Sequence, residues 1–177
     1  MKTVIAFGAS ISTTSINKTL ASSVVRKLEN INPVVVNLND YGLPIYSADI
    51  EKENGIPQNA HKFNALIESA DGIVISLAEH NGNFSAAFKN LFDWLSRMGR
   101  KVWKDKPIFL MATSPGGRGG ASVLNIAKNS FPYFGGNIIA DFSLPSFFEN
   151  FENGEIKDPE LRKQLEEKIV LFSEKLS

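Results

Sequence analysis

Two hydrophobic periods alternate along this chain, and together they leave few folds open. Short runs at 4–7, 33–38, 72–77, 107–112 and 136–142 are mostly apolar, without strict alternation, and bounded by turn residues, so they read as strands. Between and after them the apolar residues recur at helical spacing. Ile16, Leu20, Val24 and Leu28 fall four apart, Phe63, Leu66 and Ile67 mark a short helix, and Phe84, Phe88, Leu91, Phe92 and Leu95 give a wide apolar face. Residues 121–127 read as a helix after a Gly-rich turn. Leu161, Leu165, Ile169 and Phe172 mark a closing helix, with Asp158 at its cap and Pro159 in its first position. Residues 39–57 read as a long loop punctuated by Gly42, Pro44, Gly55 and Pro57. Strands without in–out alternation belong to parallel sheets covered on both faces. Right-handed crossovers then wind the chain into an open, doubly wound α/β sheet of five strands with helices on both faces. No repeat or linker interrupts the pattern, so residues 1–177 are expected to form a single domain.

Composition narrows the chemistry. Nineteen Lys and Arg balance nineteen Asp and Glu, which argues against a dedicated nucleic-acid binder. There is no Cys, so thiolate nucleophiles, disulfides and Cys-built metal sites are excluded, and two His are too few for a His-built one. The first apolar run breaks at Gly8, too short for a signal peptide or a membrane span, so a cytoplasmic protein is expected, with no membrane partner.

In such sheets ligands bind beyond the carboxyl ends of the strands. Three loops there carry chemistry. After the first strand come Ser10, Ser12, Thr13, Thr14, Ser15 and Asn17, hydroxyls and an amide around a helix N-terminus whose free N–H groups favour anions. Capping by Ser15 or Thr14 would need only one of them. The loop has neither the Lys of a nucleoside-triphosphate loop nor the Gly spacing of a dinucleotide turn, which points to a terminal monophosphate. After the third strand, Ala78-Glu79-His80-Asn81-Gly82-Asn83-Phe84 is long enough to wall a planar ligand, with His80 able to stack on it; the alternative is a plain loop in which Asn83 caps the next helix. After the fourth strand, Thr113-Ser114-Pro115-Gly116-Gly117-Arg118-Gly119-Gly120 gives backbone access, and Arg118 could reach a phosphate or a ring carbonyl; the alternative is a flexible turn. Trp94 and the aromatic stripe around it read as core, and 157–168 as a solvated helix face.

Together these loops resemble the NADPH-dependent FMN reductase family, whose members include quinone, azo-dye and chromate reductases. Residues 10–17 match its S-x-R-x-x-S-x-N pattern with Ser12 in place of Arg. Ala78-Glu79-His80-Asn81 followed by Lys89-Asn90-Leu91-Phe92-Asp93-Trp94 resembles P-E-Y-N and K-N-x-x-D-W. Ser114-Pro115-Gly116 with Gly119-Gly120 matches S-P-G-x-x-G-G, and "LPIYSADIEKENGIP" at 43–57 is similar to the family's loop after the second strand. The resemblance implies a flavodoxin-like fold of strand order 2-1-3-4-5. It implies that Ser10, Ser12, Ser15, Ile16 and Asn17 hold an FMN phosphate, that Ala78, Glu79, His80, Asn81 and Gly82 line the isoalloxazine, and that Ser114, Gly116 and Gly117 meet the ring or ribityl from the other side. Two departures matter: losing the Arg removes a charge-assisted phosphate contact, and His80 stands in place of Tyr, which keeps a flat ring at that position.

The implied activity is hydride transfer from NADPH or NADH, through bound FMN, to a small acceptor such as a flavin, quinone, azo compound or metal oxyanion. The cofactor carries that chemistry, so no side chain is assigned as acid or base. A flavodoxin-type electron carrier is the rival, although such carriers tend to be acidic and this chain is balanced. A flavin- or nucleotide-binding module without turnover is the third reading. Family members commonly form homodimers or homotetramers, and 147–151 (FFENF) could serve such an interface or pack on its own domain.

Overall fold

In the computed structural model, which describes residues 1–176, the strands are β1 (Lys2–Ala9), β2 (Ile31–Val35), β3 (Gly72–Leu77), β4 (Pro107–Thr113) and β5 (Asn137–Leu144). All pair in parallel, in the order β2-β1-β3-β4-β5. The helices are α1 (Ile16–Arg26), α2 (Ala48–Asn54), α3 (Gln58–Ser69), α4 (Ala86–Met98), α5 (Ala121–Ser130), α6 (Phe147–Asn150) and α7 (Pro159–Leu176). The chain leaves β1 toward one edge and returns to cross to β3, so the order reverses at β1/β3 and a crevice opens above their carboxyl ends.

The inner strands β1, β3 and β4 are largely apolar because both their faces are covered, whereas the edge strands β2 and β5 are partly exposed and admit Asn32, Asn137 and Asp141. Successive side chains point to opposite faces. Val4, Ala6, Val74, Phe109 and Met111 lie under α1 and α7, whereas Ile5, Phe7, Ile73, Ile75, Ile108 and Leu110 lie under α3, α4 and α5. Asp158 caps α7, its Oδ1 accepting from Leu161 N at 2.9 Å, with Pro159 opening the helix.

Three readings need correction. The stretch 39–57 is not one long loop: it holds a 3₁₀ turn at Leu38–Tyr41 and the helix α2. That helix buries no residue, so it has no apolar stripe to betray it; Ser47 caps it, and Asp49 and Glu51 sit at its positive end. The second strand ends at Val35, short of the expected 38, because Asn37 caps the turn that Leu38 begins. Ser85, not Asn83, caps α4: its Oγ accepts from Phe88 N at 3.3 Å and donates to Ala9 O at 2.7 Å.

The K-N-x-x-D-W stretch has a structural use. The Asn90 side chain accepts from Tyr46 N (2.8 Å) and donates to Pro44 O (3.0 Å), and Trp94 Nε1 donates to the same carbonyl (2.8 Å). These bonds fasten the segment after β2 onto α4. Tyr46 Oη donates to Glu51, which raises the phenol's pKa, and Glu51 in turn pairs with Arg97 at 2.9 Å.

Candidate functional site

The β1–α1 loop shares out its hydroxyls. Ser15 caps α1, its Oγ accepting from Lys18 N at 3.1 Å, and is buried. Ser10 Oγ accepts from Ser12 N, and Ser12 and Thr14 face each other at 3.4 Å on the exposed rim. Among the described residues, the first-turn amides of Ile16 and Asn17 have no hydrogen-bond acceptor, so the positive end of the helix is open toward the loop.

Asn17, expected to help hold a phosphate, is 3% exposed, and its side chain bridges the sheet. Its Oδ1 accepts from Ser76 Oγ at 2.6 Å and Thr113 N at 3.1 Å, and its Nδ2 donates to Thr113 O at 3.2 Å. Thr113 Oγ1 continues the line to Leu144 O at 2.7 Å. This polar bracket joins the start of α1 to the carboxyl ends of β3, β4 and β5.

The second loop is a hairpin in which Glu79 pairs with Phe84 and His80 with Asn83. Its turn is Asn81-Gly82, with φ of +53° and +75°. Two successive positive φ values suit a tight turn between twisted strands, and Asn-Gly between short runs is the local signal for it. The Glu79 carboxylate caps another helix: Oε2 accepts from Val123 N at 3.0 Å, at the start of α5, whose N-cap Gly120 has no side chain to offer. Replacing Glu79 with Ala is expected to cost about 1 kcal/mol, in the range of a lost N-cap. Amide exchange at Val123 would speed up accordingly, and unchanged exchange would show that the cap is idle.

The glycines of the third loop divide into two pairs. Gly119 and Gly120 have φ of +57° and +76°, and added Cβ atoms would stand 2.4 Å from Ser143 Oγ and 2.9 Å from Ala112 Cβ, so this end of the loop is locked. Gly116 and Gly117 have open space where a Cβ would be. Ser114 Oγ donates to Gly116 O, and bonds from Ser146 N to Gly116 O and Phe147 N to Ser114 O tie the loop to α6. Arg118 points outward to Ser122 Oγ at 2.9 Å.

These loops enclose a cavity of about 250 Å³. The first contributes Ser10, Ser12, Ser15, Ile16 and Asn17, the second Ala78, Glu79 and His80, and the third Ser114. Thr14, Thr113, Pro115 and Phe148 also line it. Phe148 comes from beyond β5 and carries no local signal for this place. Asn81 and Gly82 stand at the exposed hairpin tip, and Gly116, Gly117 and Arg118 on the exposed part of the third loop, off the cavity wall. Among the described residues, no Lys or Arg lines the cavity, so an anion here meets amides, hydroxyls and the helix dipole. A wider hollow of about 850 Å³ around Met1, Asn30 and Asp71 lies where the strands begin, the opposite end from the loops. Among the described residues, no group of three His, Asp or Glu could hold a metal ion, and no helix is long and apolar enough to cross a membrane.

A parallel sheet of this order with three loops gathered over its switch point defines the flavodoxin-like class of α/β proteins. Residues 2–168 match the model of the NADPH-dependent FMN reductase family, and the chain belongs to that family. It is 34% identical to a quinone reductase of Escherichia coli K12 over 102 residues, 55% of this chain and 54% of that protein. It is 40% identical to a 2-hydroxy-1,4-benzoquinone reductase of a Burkholderia species over 81 residues, 45% of this chain and 43% of that protein. The chain thus spans about half the length of the curated relatives it matches. Among solved structures it resembles the flavoenzyme NAD(P)H:(acceptor) oxidoreductase FerB of Paracoccus denitrificans, with a TM-score of 0.78, 25% identity, and coverage of 99% of this chain and 97% of that one. An azoreductase of Bacillus anthracis shares the fold at a TM-score of 0.62 and 17% identity, over 98% and 100% of the two chains.

Proposed function

We propose that this chain is an NAD(P)H-dependent FMN oxidoreductase that reduces quinone-like small acceptors. The observation that carries the reading is the open N-terminus of α1, with its two unpartnered amides among exposed hydroxyls, facing two further loops across one cavity. That donor set fits a flavin monophosphate. Ser15 accepts one bond as the cap and keeps its O–H to donate, as a hydroxyl can. Ser10 and Ser12 add hydroxyls, and Ile16 and Asn17 add backbone N–H groups. The Asn17 side chain is taken up by its bracket and contributes from beneath, by holding the loop. His80 offers a flat ring at the cavity wall, Glu79 ties that wall to α5, and Gly116 and Gly117 leave the main chain bare for close approach. When bound, FMN supplies the redox chemistry, taking electrons from the nicotinamide and passing them to the acceptor. The residues' task is to hold two flat rings in register and keep the phosphate fixed. Assembly as a homodimer or homotetramer belongs to the same reading.

The test is the visible absorbance of the protein with added FMN, under anaerobic conditions, before and after NADPH or NADH. A bound-flavin spectrum that bleaches supports the reductase. Binding without bleaching by either nicotinamide would replace it with an electron carrier, and absence of flavin binding would end both.

The missing family Arg leads to a second expectation. Because no cation lines the cavity, FMN affinity should depend weakly on salt. Ser12→Arg should add a charge-assisted bond to the phosphate, tighten FMN by roughly tenfold and bring in a salt dependence. Flavin fluorescence titrations at low and high salt read both effects, and an unchanged affinity would move the phosphate elsewhere.

A further inference from the structure

The cavity continues into a second groove. Thr14, Ser15, Ile16 and Phe148 line both the cavity and a trough of about 990 Å³ that runs down the outer side of α1. One stripe of that helix forms its floor: Lys18, Ser22 and Arg26 stand at i, i+4 and i+8, with Thr19 and Ser23 beside them. At 1.5 Å of rise per residue, Lys18 and Arg26 are about 12 Å apart along the axis. Neither belongs to an ion pair among the described residues. Among the described residues the one carboxylate lining the trough is Glu155, matched by Lys27 at 2.7 Å.

The facing wall is aromatic and fixed. Phe148, 69% exposed, stands at the end shared with the cavity. Phe151 stacks on Phe147 at 4.9 Å and begins a small hairpin, Phe151–Glu152 against Glu155–Ile156. Ser23 Oγ donates to Gly154 O at 2.7 Å and pins the hairpin tip to the helix. The trough therefore has two unmatched cations two turns apart, hydroxyls between them and an exposed ring at its mouth.

These features are complementary to a nucleotide that carries phosphate groups at two positions of one adenosine. We propose that the trough binds the adenosine 2′-phosphate end of NADPH. Lys18 meets the pyrophosphate where the trough leaves the cavity, Arg26 meets the 2′-phosphate, and Phe148 offers its face to the adenine. The inference rests on the reductase reading for the identity of the donor, and it adds what that reading lacks: a physical basis for preferring NADPH to NADH, which has no 2′-phosphate for Arg26.

The test uses the full chain loaded with FMN and the probes adenosine 2′,5′-bisphosphate and AMP, compared by calorimetry. The bisphosphate is expected to bind at least about tenfold more tightly, a difference of the size of one charge-assisted pair. Arg26→Ala should abolish the difference, and Arg26→Lys should keep most of it. Arg26 is exposed in the last turn of α1, so neither change threatens the fold. In steady state, Arg26→Ala should raise KM for NADPH by roughly the same factor, with kcat and KM for NADH unchanged. Equal binding of the two probes, or a bisphosphate affinity indifferent to Arg26, would overturn the assignment. The FMN spectrum and its bleaching by NADH report on the reductase reading separately. Arg26-dependent binding of the bisphosphate to a chain that takes up no FMN would leave the trough standing and remove the reductase.

Discussion

Asn17→Ala is expected to lower the free energy of unfolding by about 3–5 kcal/mol, because it strands several buried polar groups at once. Thr113 would lose the partner of both its N–H and its C=O, and Ser76 Oγ would lose its acceptor, all three residues being buried. A buried donor or acceptor left unmade costs more than the bond itself contributes. Thr113 begins the third loop, so FMN affinity should fall with stability. Urea denaturation measures the first effect and flavin titration the second. A stability loss below about 1 kcal/mol would mean that water or a neighbour replaces the amide, and that the bracket does not hold the loops.

Gly8→Ala is the second large effect, and its cause is backbone against backbone. A Cβ on Gly8 would stand 2.2 Å from Lys18 N and 2.7 Å from Asn17 C and Lys18 Cα. No side-chain rotation relieves that contact. The first turn of α1 must move outward, against the Ser15 cap and the Asn17 bracket. A loss of about 3 kcal/mol is expected, at the upper end of overpacking costs. The same displacement carries the amides of Ile16 and Asn17 off the proposed phosphate position, and a shift on the order of 1 Å takes an N–H···O contact out of hydrogen-bonding range. The variant should thus retain a folded circular-dichroism spectrum at low temperature while losing FMN. Full retention of FMN would show that the phosphate does not use the α1 N-terminus.

The two substitutions mark different kinds of legibility. Gly8 ends the first apolar run, and a small residue between a buried strand and a hydroxyl-rich helix start is visible in the sequence, although its contact with Lys18 is not. The Asn81-Gly82 turn was equally available, since Asn-Gly between short runs announces a hairpin whatever surrounds it. The helix α2 was illegible because it is held by a cap and charges and buries nothing. The family motifs and the loop chemistry together named fourteen residues, of which nine line one cavity. They could not say how each side chain is used. Ser15 serves as cap, Asn17 as bracket and Glu79 as the cap of a helix 44 residues away.

Hydrophobic period and turn chemistry are properties of neighbouring residues. The strands, the main helices and their two-faced burial could therefore be read from the chain itself, and the motif order pointed to the strand order. The partner of a polar group depends on which atoms approach it in space. Asn17 meets Thr113 across 96 residues and Ser76 across 59, and Phe148 reaches the cavity only because β5 ends beside β4. Placing the two unpaired cations of α1 opposite an aromatic wall likewise required the hairpin at 151–156 to fold back over the helix. No spacing along the chain encodes those meetings; the sheet order and the twist of the packed layers decided them.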